Sequence, residues 1–285
     1  MDIRSLDANR GTVSTQSGDL SYLDVGHGPV ALFVHGIGTN AYLWRHVIAA
    51  FAPERRCVAI DLPLHGRSPV RDDQDLSLNG LADVLEDFCA ALGLNELDLV
   101  ANDTGGAIAQ VFAVRAPQRL RTLTLTNCDT QDNLPPEEFR PVVELATRGQ
   151  LAPIAGQLVA NLDLARASAL GQGYQHPERV SDQILRGYLE PVFGTALAAR
   201  HFERLLVAQD DADLRAIEPE LKQLTVPTLV VWGTGDPNFA LRWAYWLRDT
   251  IPGVTEVVEV ADAKLFFPDE RPDDLIPHLR RHWAR

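Results

Sequence analysis

Short apolar runs, each stopped by polar residues or a glycine, recur along this chain. Residues 29–34 read PVALFV and stop at His35-Gly36. Residues 57–60, CVAI, stop at Asp61, and residues 97–101, LDLVA, stop at Asn102-Asp103. Residues 121–126, RTLTLT, run into Asn127-Cys128-Asp129, and residues 227–232, PTLVVW, run into Gly233. Runs that are apolar along most of their length predict parallel strands buried on both faces. Ahead of them, residues 11–25 read as short strands with a hairpin turn at Gly18-Asp19. Helical patterns fill the intervals at 41–51, 78–92, 105–116, 238–250 and 273–283. Strands alternating with helices specify an α/β fold with a mostly parallel central sheet flanked by helices.

One stretch breaks the alternation. Residues 133–221 hold no strand pattern of comparable quality and read as helices over 136–148, 151–161, 178–189 and 195–208. A helical block inserted there sits above the carboxyl ends of the strands, where open α/β sheets bind ligands. The expectation is a helical cap over 133–221 on a core made of 1–132 and 222–285. A second helical layer with no lid role is the alternative.

Composition narrows the classes. With 285 residues and 46% apolar positions, one domain of this kind buries a sizeable core. A formal net charge of −13 argues against nucleic acid and anionic membrane surfaces as partners, since these call for clustered Lys and Arg. The three cysteines, Cys57, Cys89 and Cys128, are too widely spaced to suggest a disulfide framework or a metal site. Residues 1–10 have no secretory apolar segment, and no run approaches the length of a membrane span. The expectation is a cytoplasmic protein with a small-molecule substrate and no metal or other cofactor, a homodimer being left open.

The chemistry concentrates at LDLVANDTGGAIAQ, residues 97–110. A buried strand ends, one polar residue protrudes, and a helix opens with two glycines. Ala101 and Gly105 flank Asp103 at two residues on either side, and small residues there permit a sharp strand-to-helix turn that pushes the central side chain out over the sheet. The helix N-terminus behind it favours an anion. Taken alone, Asp103 reads as a helix cap; the polar residues at the neighbouring strand ends weaken that reading.

Here the sequence resembles the α/β-hydrolase superfamily, in the branch of haloalkane dehalogenases and epoxide hydrolases. The resemblance covers nearly the whole chain outside 133–221. It rests on His35-Gly36, on residues 40–45 (NAYLWR), on residues 61–68 (DLPLHGRS), on the turn at 101–105, and on residues 232–236 (WGTGD). It implies an enzyme acting on a small apolar electrophile, haloalkane- or epoxide-like, with Asp103 attacking carbon to form an ester. The backbone N–H groups of Ile37 and Thr104 are implied as the oxyanion hole. Asp236 is implied as the acid that orients a histidine, with Asp129 and Asp132 as lesser candidates. Asp236 precedes Pro237 and could instead start a turn. His35 and His65 read as structural.

The sequence departs from the family pattern where that histidine belongs. Counting back from Glu270-Arg271-Pro272 places Leu265 at its position, and no histidine lies between His201 and His278. General-base help of this kind is worth about 10²–10⁴ in rate. Ile37 and Thr104 also stand where dehalogenases carry side chains that hold a halide, and neither is a comparable donor. Lys264, His201 and Asp236 itself are candidate substitutes for the base. Tyr174 and Tyr188 are candidate acids for epoxide opening, and Trp44 and Phe266 candidate pocket walls. A non-hydrolytic lyase, isomerase or cyclase using Asp103 as acid or base, and a ligand-binding protein without chemistry, remain as alternatives.

Overall fold

The computed structural model describes residues 3–284. Eight strands form one sheet: β1 (Arg10–Thr15), β2 (Gly18–Val25), β3 (Val30–Val34), β4 (Arg56–Ile60), β5 (Leu97–Asp103), β6 (Leu120–Cys128), β7 (Thr228–Gly233) and β8 (Val254–Val260). Their order is β1-β2-β4-β3-β5-β6-β7-β8. The β1–β2 and β2–β4 pairs are antiparallel, and every other pair is parallel. The fold is that of an α/β hydrolase, with helices on both faces of a mostly parallel sheet.

Every residue of β5 and β7 is buried, as the continuous apolar runs require. The edge strand β8 reads VTEVVEV and is mostly half-exposed, so its pattern is diluted by Glu256 and Glu259. The direction of winding reverses between β3 and β5: β4 lies on one side of β3, and β5 with its successors on the other. A crevice opens above the carboxyl ends of the strands at such a reversal. The loop after β3 and the turn after β5 therefore converge there.

The helix Thr104–Arg115 is buried along nearly its whole length. Its small residues permit this closeness: a Cβ at Gly105 would lie 2.3 Å from the carbonyl oxygen of His35, and one at Gly106 2.3 Å from Cys128 Cβ.

Between β6 and β7 the chain is helical. The helices Arg140–Thr147, Ala152–Ala160, Asp182–Phe193 and Ala196–Ala208 pack on one another. Two shorter ones, Asp211–Ala216 and Glu218–Leu221, pack instead on the helix Thr104–Arg115 of the sheet layer. Packing thus returns the chain to the sheet layer about ten residues before the boundary drawn at 221. The short helices Leu162–Ala167 and Ala169–Gln172 were not anticipated.

One side of this helical segment is bonded to the loop after β8. Phe266 N–H donates to Gly173 O at 2.8 Å, and Glu270 accepts from the N–H groups of Gln175 and His176 at 2.8 and 2.6 Å. On the opposite side, His201 pairs with Asp72 at 2.8 Å and Arg204 donates to Arg71 O at 2.7 Å. Among the described residues, no helix is long and apolar enough to cross a membrane.

Candidate active site

Asp103 ends β5 in the left-handed region, at φ +59° and ψ −138°. A non-glycine residue there carries backbone strain and belongs to a turn that the surrounding packing imposes. Gly36 faces it, and a Cβ at that position would come within 2.1 Å of Asp103 Oδ2. The glycine after His35 therefore makes room for the carboxylate.

The backbone N–H groups of Thr104 and Ile37 both act on the Asp103 carboxyl and favour its ionised form. They are not enough to offset burial, which, with the nearby charge of Asp236, pushes Asp103 up to about 7. The loop bearing Ile37 is braced by two histidines. Leu62 N–H donates to His35 Nε2 at 2.9 Å and Gly38 N–H donates to His65 Nε2 at 3.1 Å. Burial drives both imidazoles down, His35 to about 4 and His65 to about 3, so each stays a neutral acceptor.

Asp236 follows β7 and is tied to the loop around it. Asn127 Nδ2 donates to its Oδ2 at 2.9 Å, and the N–H of Asn238 donates to its Oδ1 at 2.9 Å. Burial nonetheless raises it to about 6.

A third buried carboxylate is Asp129, a lesser candidate in the sequence. Asp129 directly follows β6, and its neighbour Cys128 is paired in register with Asp103. Asp129 is 1% exposed. Its Oδ2 accepts from Thr104 Oγ1 at 2.9 Å, and its Oδ1 is buried without a hydrogen-bond partner. Burial first, then the Asp103 charge, hold it well above the usual carboxylate range.

Asp103 and Asp129 line a cavity of about 220 Å³ beneath the helical segment, and Asp236 does not. The rest of its wall is mainly apolar, including Phe139, Val142, Leu189, Phe193, Phe202 and Leu206. These residues sit on the inward faces of amphipathic helices, a pattern the sequence carries but does not aim at any one place.

The remaining expectations sort clearly. Ile37, Thr104, Leu265 and Phe266 line the cavity with Asp103. The carbonyl oxygen of Leu265 accepts from Asn102 Nδ2 at 3.0 Å, which holds this residue beside the turn. Trp44, Tyr174, Tyr188 and His201 do not line it. Trp44 is core, its ring centroid 5.3 Å from that of Phe33. Tyr174 donates to Asp269 Oδ2 at 3.0 Å, Tyr188 lies buried beside that cluster, and His201 turns outward to Asp72. Contrary to the expectation of a pocket role, core packing claims Trp44, Tyr174 and Tyr188, and a surface pair claims His201. Lys264 acts on Asp236 as a nearby positive charge. Among the described residues, no group of three or more His, Cys, Asp or Glu is arranged to hold a metal ion.

The chain belongs to the alpha/beta hydrolase fold family, whose model matches residues 29–271. Within that class it is similar to haloalkane dehalogenase 2 of Mycobacterium bovis, 28% identical over 270 residues, covering 90% of this chain and 88% of the relative. It is also similar to the cis-3-alkyl-4-alkyloxetan-2-one decarboxylase of Shewanella oneidensis, 25% identical over 284 residues, covering 94% and 86%. Among solved structures, the haloalkane dehalogenase DatA of Agrobacterium tumefaciens C58 superimposes with a TM-score of 0.80 at 21% identity, covering 96% of each chain. The family and these relatives mark the chain as a hydrolase-like enzyme.

Proposed function

We propose that this enzyme acts on a small apolar electrophile through Asp103, whose carboxylate attacks carbon and forms an ester. The helical segment serves as the cap that closes the site. One observation carries the reading: Asp103 is a carboxylate on a strained strand-to-helix turn, held by two backbone N–H groups and facing a small, mostly apolar cavity. A cap residue with no chemical role would not call for a glycine cleared in front of it. The wall selects apolar ligands by exclusion, since it offers few polar partners. The N–H groups of Ile37 and Thr104, already directed at the Asp103 carboxyl, then serve the oxygen of the ester as charge develops on it.

The test is direct. The protein is incubated with a panel of short alkyl halides and epoxides, and adducts are mapped by mass spectrometry. The expected result is an added alkyl mass on the peptide containing Asp103. No adduct there across the panel overturns the reading.

Leu265 favours a second reading. An apolar wall stands where a water-activating imidazole would be, and a lyase needs no water. In a strained lactone, Asp103 would open the ring at carbon and free the lactone carboxylate. Loss of carbon dioxide would then form a carbon–carbon double bond and expel Asp103 as a carboxylate. The Shewanella relative is named for a decarboxylation of an oxetan-2-one. Alkene and carbon dioxide as products, with no oxygen taken from water, would select this reading over hydrolysis.

A further inference from the structure

Six buried aspartates stand close to the strands or their loops, and three of them face a guanidinium. Asp61 is paired with Arg10, Asp98 with Arg55 and Arg121, and Asp269 with Arg45. Asp236 has no guanidinium, but it has three donors and the nearby charge of Lys264. Asp103 has two N–H groups. Asp129 has one threonine hydroxyl on Oδ2 and its own backbone N–H, and its Oδ1 is left without a partner. A buried carboxylate oxygen without a donor is costly when charged, and it is satisfied most simply by carrying a proton. The orphaned oxygen of Asp129 divides the pair. Asp103 ionises the more readily, and Asp129 keeps the proton, in agreement with its strongly raised affinity for one.

We propose that Asp129 is the proton carrier of this site, giving its proton to the oxygen of an epoxide as Asp103 opens the ring, and afterwards taking one from water. The inference rests on the reading of Asp103 as nucleophile and narrows its substrate to strained cyclic ethers. In the first step an Asp103 oxygen bonds to a ring carbon. The carbon–oxygen bond of the ring breaks, and the released oxygen takes the Asp129 proton. The result is a hydroxyalkyl ester on Asp103 and a carboxylate at Asp129. In the second step that carboxylate accepts a proton from the water attacking the ester carbonyl, with the N–H groups of Ile37 and Thr104 on the oxyanion. Collapse expels the product oxygen, which takes the remaining proton of the added water. Asp103 is again a carboxylate, Asp129 is again an acid, and epoxide plus water has become a diol. One residue acting as acid and then base is the logic by which retaining glycosidases use a carboxyl group.

Three observations favour this role over a structural one. The free oxygen of Asp129 is on a cavity-lining residue beside Asp103. Tyr174 is bonded to Asp269, and neither it nor Tyr188 lines the cavity. Leu265, which also lines the cavity, offers no base.

The experiment compares two probes on the full-length protein. With 1,2-epoxyhexane the leaving oxygen needs a proton; with 1-iodohexane the leaving iodide does not. Rates of adduct formation on Asp103 are read by intact-protein mass spectrometry for the wild type and for Asp129→Asn. The expected result is alkylation of the wild type by both, with 1,2-hexanediol released from the epoxide adduct. In Asp129→Asn the ratio of epoxide to iodide alkylation falls about 100-fold, and the remaining epoxide ester persists. The iodide rate in the variant reports whether the fold and Asp103 are intact. An unchanged ratio in Asp129→Asn, or wild type alkylated by the iodide alone, overturns the role of Asp129 and leaves Asp103 standing. Equal loss of both rates overturns it too, as a structural effect. Wild type untouched by either probe overturns the reading of Asp103, and this inference with it.

Discussion

The cluster around Asp269 and the cluster around Asp103 are both buried carboxylate sites near the helical segment, and they are built on opposite terms. Asp269 is 2% exposed at its side chain, ion-paired with Arg45, and accepts from the Tyr174 hydroxyl. Burial still raises it to about 6, with Arg45 pulling in the other direction. Asp103 and Asp129 are buried with no cation against them, burial raises the affinity of each for a proton, and the Asp103 charge raises that of Asp129 further. The first cluster spends its polarity on joining the helical segment to the sheet. The second has no cation to offset the burial of its carboxylates, which is unfavourable for the fold and marks it as a candidate site for a ligand or a reaction.

The largest effect that sharpens this contrast is in rate. Asp103→Asn is expected to abolish adduct formation, by on the order of 10⁴-fold or more, as for other nucleophiles that act in a unit. Adduct formation at even a tenth of the wild-type rate would break the contrast. Next is Arg45→Ala. It strands Asp269 without its cation and is expected to cost about 3–5 kcal/mol in urea unfolding. A cost under about 1 kcal/mol would mean that Asp269 is no better held than Asp103.

A smaller effect has the opposite sign. The Asp103 carboxyl holds its proton up to about pH 7 in the folded chain, but the unfolded chain releases it near the ordinary 3.8. Between those values the native state binds more protons, so this contribution to stability is lost as pH rises and is flat above the window. Asp103→Asn removes the slope. The variant is expected to gain on the wild type between pH 4.5 and pH 8, ending more stable by on the order of 1 kcal/mol. A stability difference that does not change with pH would contradict this. Smallest of all is Arg148→Ala, in an exposed pair with Glu144 at 3.7 Å. Its effect on unfolding should not exceed a few tenths of a kcal/mol.

The fold was legible because burial on two faces leaves a simple trace. Each listening point in the sequence, from PVALFV to PTLVVW, became a strand within one or two residues at its start. The strand Val254–Val260 was not singled out, because an edge strand with exposed glutamates lacks that trace. Asp103 was legible because a tight turn demands small residues at fixed offsets, and Leu265 because it can be counted from a fixed frame. Asp129 could not be read in the same way. Its place beside Asp103 comes from the register that sets Cys128 opposite Asp103, and from a hydroxyl on a different element. Tyr174 and Tyr188 misled because composition shows that tyrosines exist in a segment but not that Asp269 and Arg45 claim that region.

The register between β5 and β6 has a further consequence, for how such a protein can change over time. The spacing of Asp103 and Asp129 follows from backbone pairing between two buried strands. The cavity wall comes largely from another stretch of chain, the helices after β6. The shape of what fits and the spacing of the two carboxylates are therefore written in separate parts of the sequence. Substitutions in the helices can retune the ligand range while the carboxylate pair stays fixed, so new specificities can be sampled without first losing the chemistry.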